Sequence, residues 1–207
     1  MIRLRTLVLC LAIGLPTTLS GQAAAECSCL WEGSFNKVQG KADLVVSGTV
    51  TSARGNSIDF AVERELRGGR GAETVRVWLK TGDYCRPEAD LFPTGSQWVM
   101  ALKEITGDVP GGFNPNTPNI SYGRTGDYQL SSCGGYWLNR EGDWVTGNLV
   151  DAPRWAREPD MTPVMLDLVA AFVRGEVDAG ALLNASREDP ALRELRLDTK
   201  AFLRDRE

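Results

Sequence analysis

Histidine is absent from all 207 residues of the sequence. Without it there is no Ser-His-Asp or Cys-His relay, and no zinc site built on imidazole. The C-x-x-C spacing of a dithiol redox motif is missing too, as are G-x-S-x-G, phosphate-cradling loops and dinucleotide fingerprints. Positive charge is scarce, with 23 Lys and Arg against 27 Asp and Glu, which argues against a nucleic-acid backbone as partner. Long apolar runs are scarce as well. The segment VMLDLVAAFV at 164–173 is interrupted by Asp167 and has about half the length of a membrane span. No internal repeat is visible. Carboxylate-only chemistry such as glycoside hydrolysis survives these exclusions, but Asp59, Glu63 and Glu65 fall on one side of a strand pattern and read as its solvated face. The sequence is therefore read as a protein that is not an enzyme, with no cofactor and no metal.

What is present begins with a leader. Arg3 and Arg5 precede the apolar run Leu7 to Leu15, and Ala23, Ala24 and Ala25 supply the small residues that a signal peptidase requires. Residues 1–25 read as a signal peptide, and the exported product reads as secreted or periplasmic. Without Arg3 and Arg5 the 23 basic residues become 21 against 27 acidic ones, a formal charge of −6. About 180 residues suffice for one core and a modest appendage.

Five cysteines are encoded, and Cys10 leaves with the leader. Cys27, Cys29, Cys85 and Cys133 remain, an even number in an exported chain, which reads as two disulfides. Four cysteines allow three pairings. Joining Cys27 to Cys29 would close a strained small ring, so each of these two is expected to reach a distant partner. A four-thiolate metal site is the competing reading. It lacks the usual ligand spacing, and an oxidising compartment would consume the thiols.

Along the chain, ADLVVSGTVTSAR (42–54) is rich in β-branched residues, with Gly48 marking a bulge or sharp bend. Gly55 and Asn56 form a hairpin signal. On the return, Ile58, Phe60 and Val62 alternate with Asp59, Ala61 and Glu63, until Arg64 breaks the inward row. ETVRVWLK (73–80) resumes with Val75, Val77 and Leu79 inward, and a fourth strand is expected at about 97–105. The stretch at 107–127 is dense in Gly, Pro and Asn and reads as a long exposed loop. Short strands follow around Cys133 and at 143–150. Five or six bent strands joined by hairpins suggest a small barrel.

After Pro159 the pattern turns helical. Thr162 and Pro163 read as a helix start, with Met165, Leu168, Val169, Phe172 and Val173 on one apolar face. A short helix near 178–185 and another opened by Asp189 and Pro190, with Leu192, Leu195 and Phe202 inward, complete a tail expected to pack on the barrel. Trp78 points opposite to Val75, Val77 and Leu79, and is expected to lie beneath that tail. Trp98, Trp137, Trp144 and Trp155 also fall in or near strands. An outward tryptophan on such a barrel is the alternative, a stacking platform for a glycan or base.

A chain that opens with Cys27-Ser28-Cys29, runs into ADLVVSGTV, makes a meander and places single cysteines after its third and fourth strands resembles the netrin-like domain of tissue inhibitors of metalloproteinases (TIMPs). The likeness covers about 27–138. It implies a mainly β fold with an OB-type barrel of five to six strands, placed here over 26–155, and the α-helical extension read above follows over 160–207. It also implies pairing of Cys27 with Cys85 and of Cys29 with Cys133. In that family the first cysteine is the mature N-terminus, whose amine and carbonyl chelate the zinc of a target protease while the next side chain enters the substrate pocket. Here that role would fall to Ser28, within a partner-binding edge of Glu26, Cys27, Ser28, Cys29, Leu30 and Trp31. The implied partner is a metalloprotease or another exported protein. Two features depart from the family. Glu26 precedes Cys27, and neither a third bridge nor a cysteine-rich second domain is encoded.

The leader reading is tested by the intact mass of the exported product. Cleavage after Ala25 predicts a chain from Glu26 to Glu207, lighter by four hydrogens than its fully reduced form. A longer chain, or one with unoxidised thiols, would refute it.

Overall fold

The computed structural model describes residues 27–69, 71–82, 84–107, 109, 121–152 and 161–187, with 191 and 194. The expected leader (1–25), Glu26, the centre of the expected long loop (110–120), Trp155 and the expected inward residues Leu192, Leu195 and Phe202 lie outside the described residues.

The expected meander forms. Strand β1 spans Leu44–Arg54, β2 Ser57–Arg67 and β3 Thr74–Trp78. Gly55 has φ 61°, supplying the positive dihedral that a two-residue hairpin needs at its first central position. In β2, Ile58 and Phe60 are fully buried whereas Asp59 is half-buried and Glu63 exposed, as a period of two requires. Opposite them the ladder slips. Ser47 pairs with Arg64 but Gly48 pairs with Val62, so Glu63 is an extra residue and β2 bulges there. A Cβ on Gly48 would stand 1.9 Å from the carbonyl oxygen of Ala61. Only a hydrogen fits.

Strand β4 (Gln97–Glu104) lies antiparallel to β1, with Leu44 opposite Leu102 and Thr49 opposite Gln97. Strand β5 (Tyr128–Gln129) runs parallel to β3 and antiparallel to β4. The circuit β1-β2-β3-β5-β4-β1 is therefore closed, a five-stranded barrel of the OB type. The outer edge of β4 is shared. Residues Lys103 and Glu104 pair with β5, while Gln97 to Met100 pair with β6 (Trp137–Glu141). From there the sheet continues through β7 (Trp144–Thr146) to β8 (Val164–Met165). Phe60, Phe92, Met100, Leu102 and Leu138 fill the centre at complete burial. Trp98 and Trp137 meet Phe92 edge-on at centroid distances of 5.0 and 5.8 Å.

Helix α1 (Phe35–Val38) precedes the barrel, and α2 (Leu166–Val173) and α3 (Ala179–Ser186) follow it. The start of α2 differs from the sequence expectation. Val164 and Met165 pair with Val145 and Trp144, so the chain stays extended there and turns helical at Leu166. The buried face rotates accordingly to Leu166, Val169, Ala170 and Val173. Met165 is exposed, and Leu168 and Phe172 are half-buried. α2 packs against β2, where Arg64 meets Asp167 at 2.5 Å; Arg64 leaves the inward row because the bulge turns it toward the helix.

Trp78 is buried, but another element covers it. Its indole nitrogen donates to Asp127 at 2.8 Å, and a Cβ on Gly123 would lie 3.6 Å from its ring. The cover is the 121–127 segment, so the end of the expected exposed loop packs on the barrel. Asn56 fixes that segment, donating to the Ser121 carbonyl at 2.7 Å and accepting from the Ser121 amide at 2.9 Å. Among the described residues no helix is long and apolar enough to cross a membrane.

Gly48→Ala is expected to cost about 2–3 kcal/mol, because the new methyl meets backbone instead of a side chain that can turn away. A urea midpoint lowered at unchanged slope would show it. An unchanged midpoint would contradict the close approach.

Candidate functional site: the bridged N-terminal edge

Residues Cys27 to Ser34 precede α1 without regular secondary structure. Alternation sorts their side chains. Ser28, Leu30 and Glu32 are exposed, while Cys27, Cys29 and Trp31 are half-buried, so the thiols face the body and the intervening residues face outward. Leu30 is 89% exposed, well above Leu91 (40%), Met165 (41%) and Trp144 (53%) among the large exposed apolar side chains.

Cys27 is bonded to Cys85 and Cys29 to Cys133, with Cα separations of 5.0 and 5.8 Å, ordinary for disulfides. The bridges span 58 and 104 residues of sequence. In the chain-entropy account loops of that size are worth about 4 to 5 kcal/mol each. Their sulfurs, as disulfides, have no thiolate to offer a metal.

The backbone adds a second fastening. The Glu32 amide donates to the Cys133 carbonyl at 2.8 Å, and Gly135 donates to Gly33 at 2.9 Å. Phe35 and Asn36 donate to Asn148 and Leu149 at 2.7 and 3.0 Å. Gly135 permits this approach, since a Cβ there would fall 2.8 Å from the Asn148 carbonyl oxygen. The Ser34 hydroxyl accepts from the Ala152 amide at 2.8 Å.

Two polar groups unforeseen in the sequence brace the edge. Glu32 accepts from Lys41 at 2.6 Å and from the Tyr136 hydroxyl at 2.9 Å. The Lys41 bond holds its carboxyl below the ordinary range; burial opposes it, and the Tyr136 bond and the Lys41 charge add to the lowering. Burial and the neighbouring Glu32 push the Tyr136 phenol up. On the other side, Arg86 is buried beside Cys85. It donates to Gln129 at 2.8 and 3.2 Å and to the Tyr122 carbonyl at 2.7 Å, and lies 4.5 Å above the Tyr84 ring. The only sequence signal for this cluster was an aromatic and a cation flanking one cysteine.

The acidic residues weighed as catalytic groups are engaged in structure. Asp59 takes two bonds from Arg76, at 2.8 and 3.0 Å, and one from Ser52 at 2.8 Å. Glu63 accepts from Thr49 at 2.5 Å and from Arg140, and Glu65 accepts from the amides of Gly69 and Gly71. Trp98 and Trp137 are half-buried; Trp144 alone of the described strand tryptophans is exposed.

No protein-family model matches the chain, and a comparison with curated proteins finds no match either.

Because the folded carboxyl of Glu32 is depressed, its contribution to stability is complete above the ordinary glutamate pKa of about 4.3 and is lost as the pH falls through the lower folded value. Glu32→Gln is therefore expected to lower the urea midpoint near neutrality and to flatten its fall below about pH 4. Parallel profiles for the two proteins would show that the carboxylate is not what titrates.

Proposed function

We propose that this protein is an exported, TIMP-like binding protein that acts without catalysis, presenting its Cys-x-Cys edge to a metalloprotease or another exported protein. One observation carries the reading. The segment 27–34 is bridged twice to the barrel while Ser28 and Leu30 project outward, Leu30 at 89% exposure. A segment so held has already lost the freedom that a partner would otherwise have to remove, and preorganised edges bind more tightly for the same contacts. The leader and the disulfides together support an extracytoplasmic setting.

Inhibition in the TIMP manner needs a free amine on Cys27, because an amide nitrogen has no lone pair for a metal. Cleavage after Ala25 leaves Glu26 in place and turns that amine into a peptide nitrogen. This favours a second reading, a noncatalytic envelope or extracellular module that uses the same edge without reaching a protease's zinc.

Two forms, one beginning at Cys27 and one at Glu26, separate the readings when titrated against a panel of zinc proteases. Under the first, the Cys27 form inhibits and the Glu26 form is weaker by about 100-fold, or ~3 kcal/mol. Leu30→Asp weakens the inhibitory form further. Absence of inhibition by the Cys27 form eliminates the inhibitor and leaves the module.

A further inference from the structure

Two disulfides side by side gather four sulfurs that the sequence spacing keeps apart. The Sγ atoms of Cys27, Cys29, Cys85 and Cys133 all lie within 4.8 Å of one another. In a tetrahedral site with zinc–sulfur bonds of about 2.3 Å, each sulfur–sulfur edge is about 3.8 Å. Rearrangements of about 1 Å in side-chain position therefore connect the two geometries.

We propose that, once both bridges are reduced, these four cysteines form a tetrathiolate site for one zinc-class divalent cation. The N-terminal edge is then clamped covalently when oxidised and by a metal when reduced.

Three features support the site. The chain segments that carry the sulfurs are joined by more than the bridges: Glu32 donates to the Cys133 carbonyl at 2.8 Å, and Ser132 donates to the Cys85 carbonyl at 2.9 Å. Those bonds survive reduction of the sulfurs and keep the ligands near one another. The cluster contains four sulfurs and no carboxylate, a donor set that selects zinc-class ions over magnesium or calcium. Cys133 is buried while the other three are half-buried, so both a reductant and an ion have access from the edge.

The chemistry balances with a phosphine as reductant. Each S–S bond takes two electrons from phosphorus and two protons from water, and the phosphine becomes its oxide. Breaking both bonds leaves four thiols. Entry of the cation forms four metal–sulfur bonds and releases four protons, so uptake is favoured as pH rises.

The test uses the full chain carrying Cys10→Ser, so that four thiols remain. Oxidised and phosphine-reduced samples are exposed to zinc chloride under inert gas, desalted and assayed for metal. Cobalt chloride replaces zinc in a parallel pair to report ligand geometry. The expected result is one zinc per chain in the reduced sample, none in the oxidised one, and the intense ligand-field spectrum of a tetrahedral cobalt tetrathiolate. Zinc should also raise the Tm of the reduced protein, an effect lost in the Cys85→Ser, Cys133→Ser double variant. If that variant does not fold, the cobalt spectrum of the parent remains decisive. Failure of the reduced chain to retain zinc overturns the proposal, as does an octahedral cobalt spectrum. Equal retention by reduced chain unfolded in urea also overturns it, since the fold would then contribute nothing.

Discussion

A strand hydrogen-bonded along both edges has nothing left to offer a neighbour, and β1 is in that condition, paired with β2 on one side and β4 on the other. This double pairing closes the barrel. Leu44, Val45, Val46 and Ser47 are buried together, so the start of β1 is covered on both faces and shows no alternation of wet and dry sides. The double pairing also dictates the glycine at 48, since the bulged partner strand approaches there too closely for any side chain. With the circuit closed, the sheet can grow only from the outer edge of β4, and β6, β7 and β8 extend it from there. That extension ends in a strand of two residues, a length that leaves little edge for unwanted pairing.

The N-terminal edge depends on this frame in a particular way. Trp31 is half-buried and the neighbouring Ser28, Leu30 and Glu32 are exposed, so hydrophobic burial contributes little before Phe35. The segment is instead held at its two ends. Sulfur bridges fix Cys27 and Cys29, and the fully buried Phe35 and Val38 fix α1. Between these anchors the backbone bonds to Cys133 and Gly135 set the direction, and the Glu32, Lys41 and Tyr136 group ties the turn toward the helix. Order here comes from covalent and polar constraints acting on an exposed segment.

Much of the barrel was legible in the sequence because β2 and β3 alternate and β1 is rich in β-branched residues. Ile58 and Phe60, the Gly55-Asn56 turn and the glycine at 48 each left a local signal, and each has the expected place. Misreadings occurred where a distant partner decided the outcome. Val164 and Met165 carry helix-compatible chemistry but find strand partners in Val145 and Trp144. Trp78 is expected beneath the helical tail because that tail must bury its stripe on something; loop composition gives no hint that Asn56 fixes Ser121 and brings Gly123 and Asp127 over the indole. The nearness of all four sulfurs was hidden too, since sequence spacing suggests pairs and says nothing about how two pairs stack.

The outer face of the hairpin shows why the edge stands out. Sequence places Asp59, Glu63 and Glu65 on one side of β2, and each has specific partners: Arg76 and Ser52, Thr49 and Arg140, and the amides of the glycine loop. The Arg76 bonds, more than those of Ser52, keep the Asp59 carboxyl below its usual range, so it remains charged and paired near neutrality. At the edge the balance is reversed. Leu30 has apolar surface turned to solvent on a backbone that cannot retreat to bury it, since Cys29 is bridged on one side and Glu32 is hydrogen-bonded on the other. Burying a leucine side chain fully is worth about 1.5–3 kcal/mol, and at Leu30 that gain is not realised within the fold.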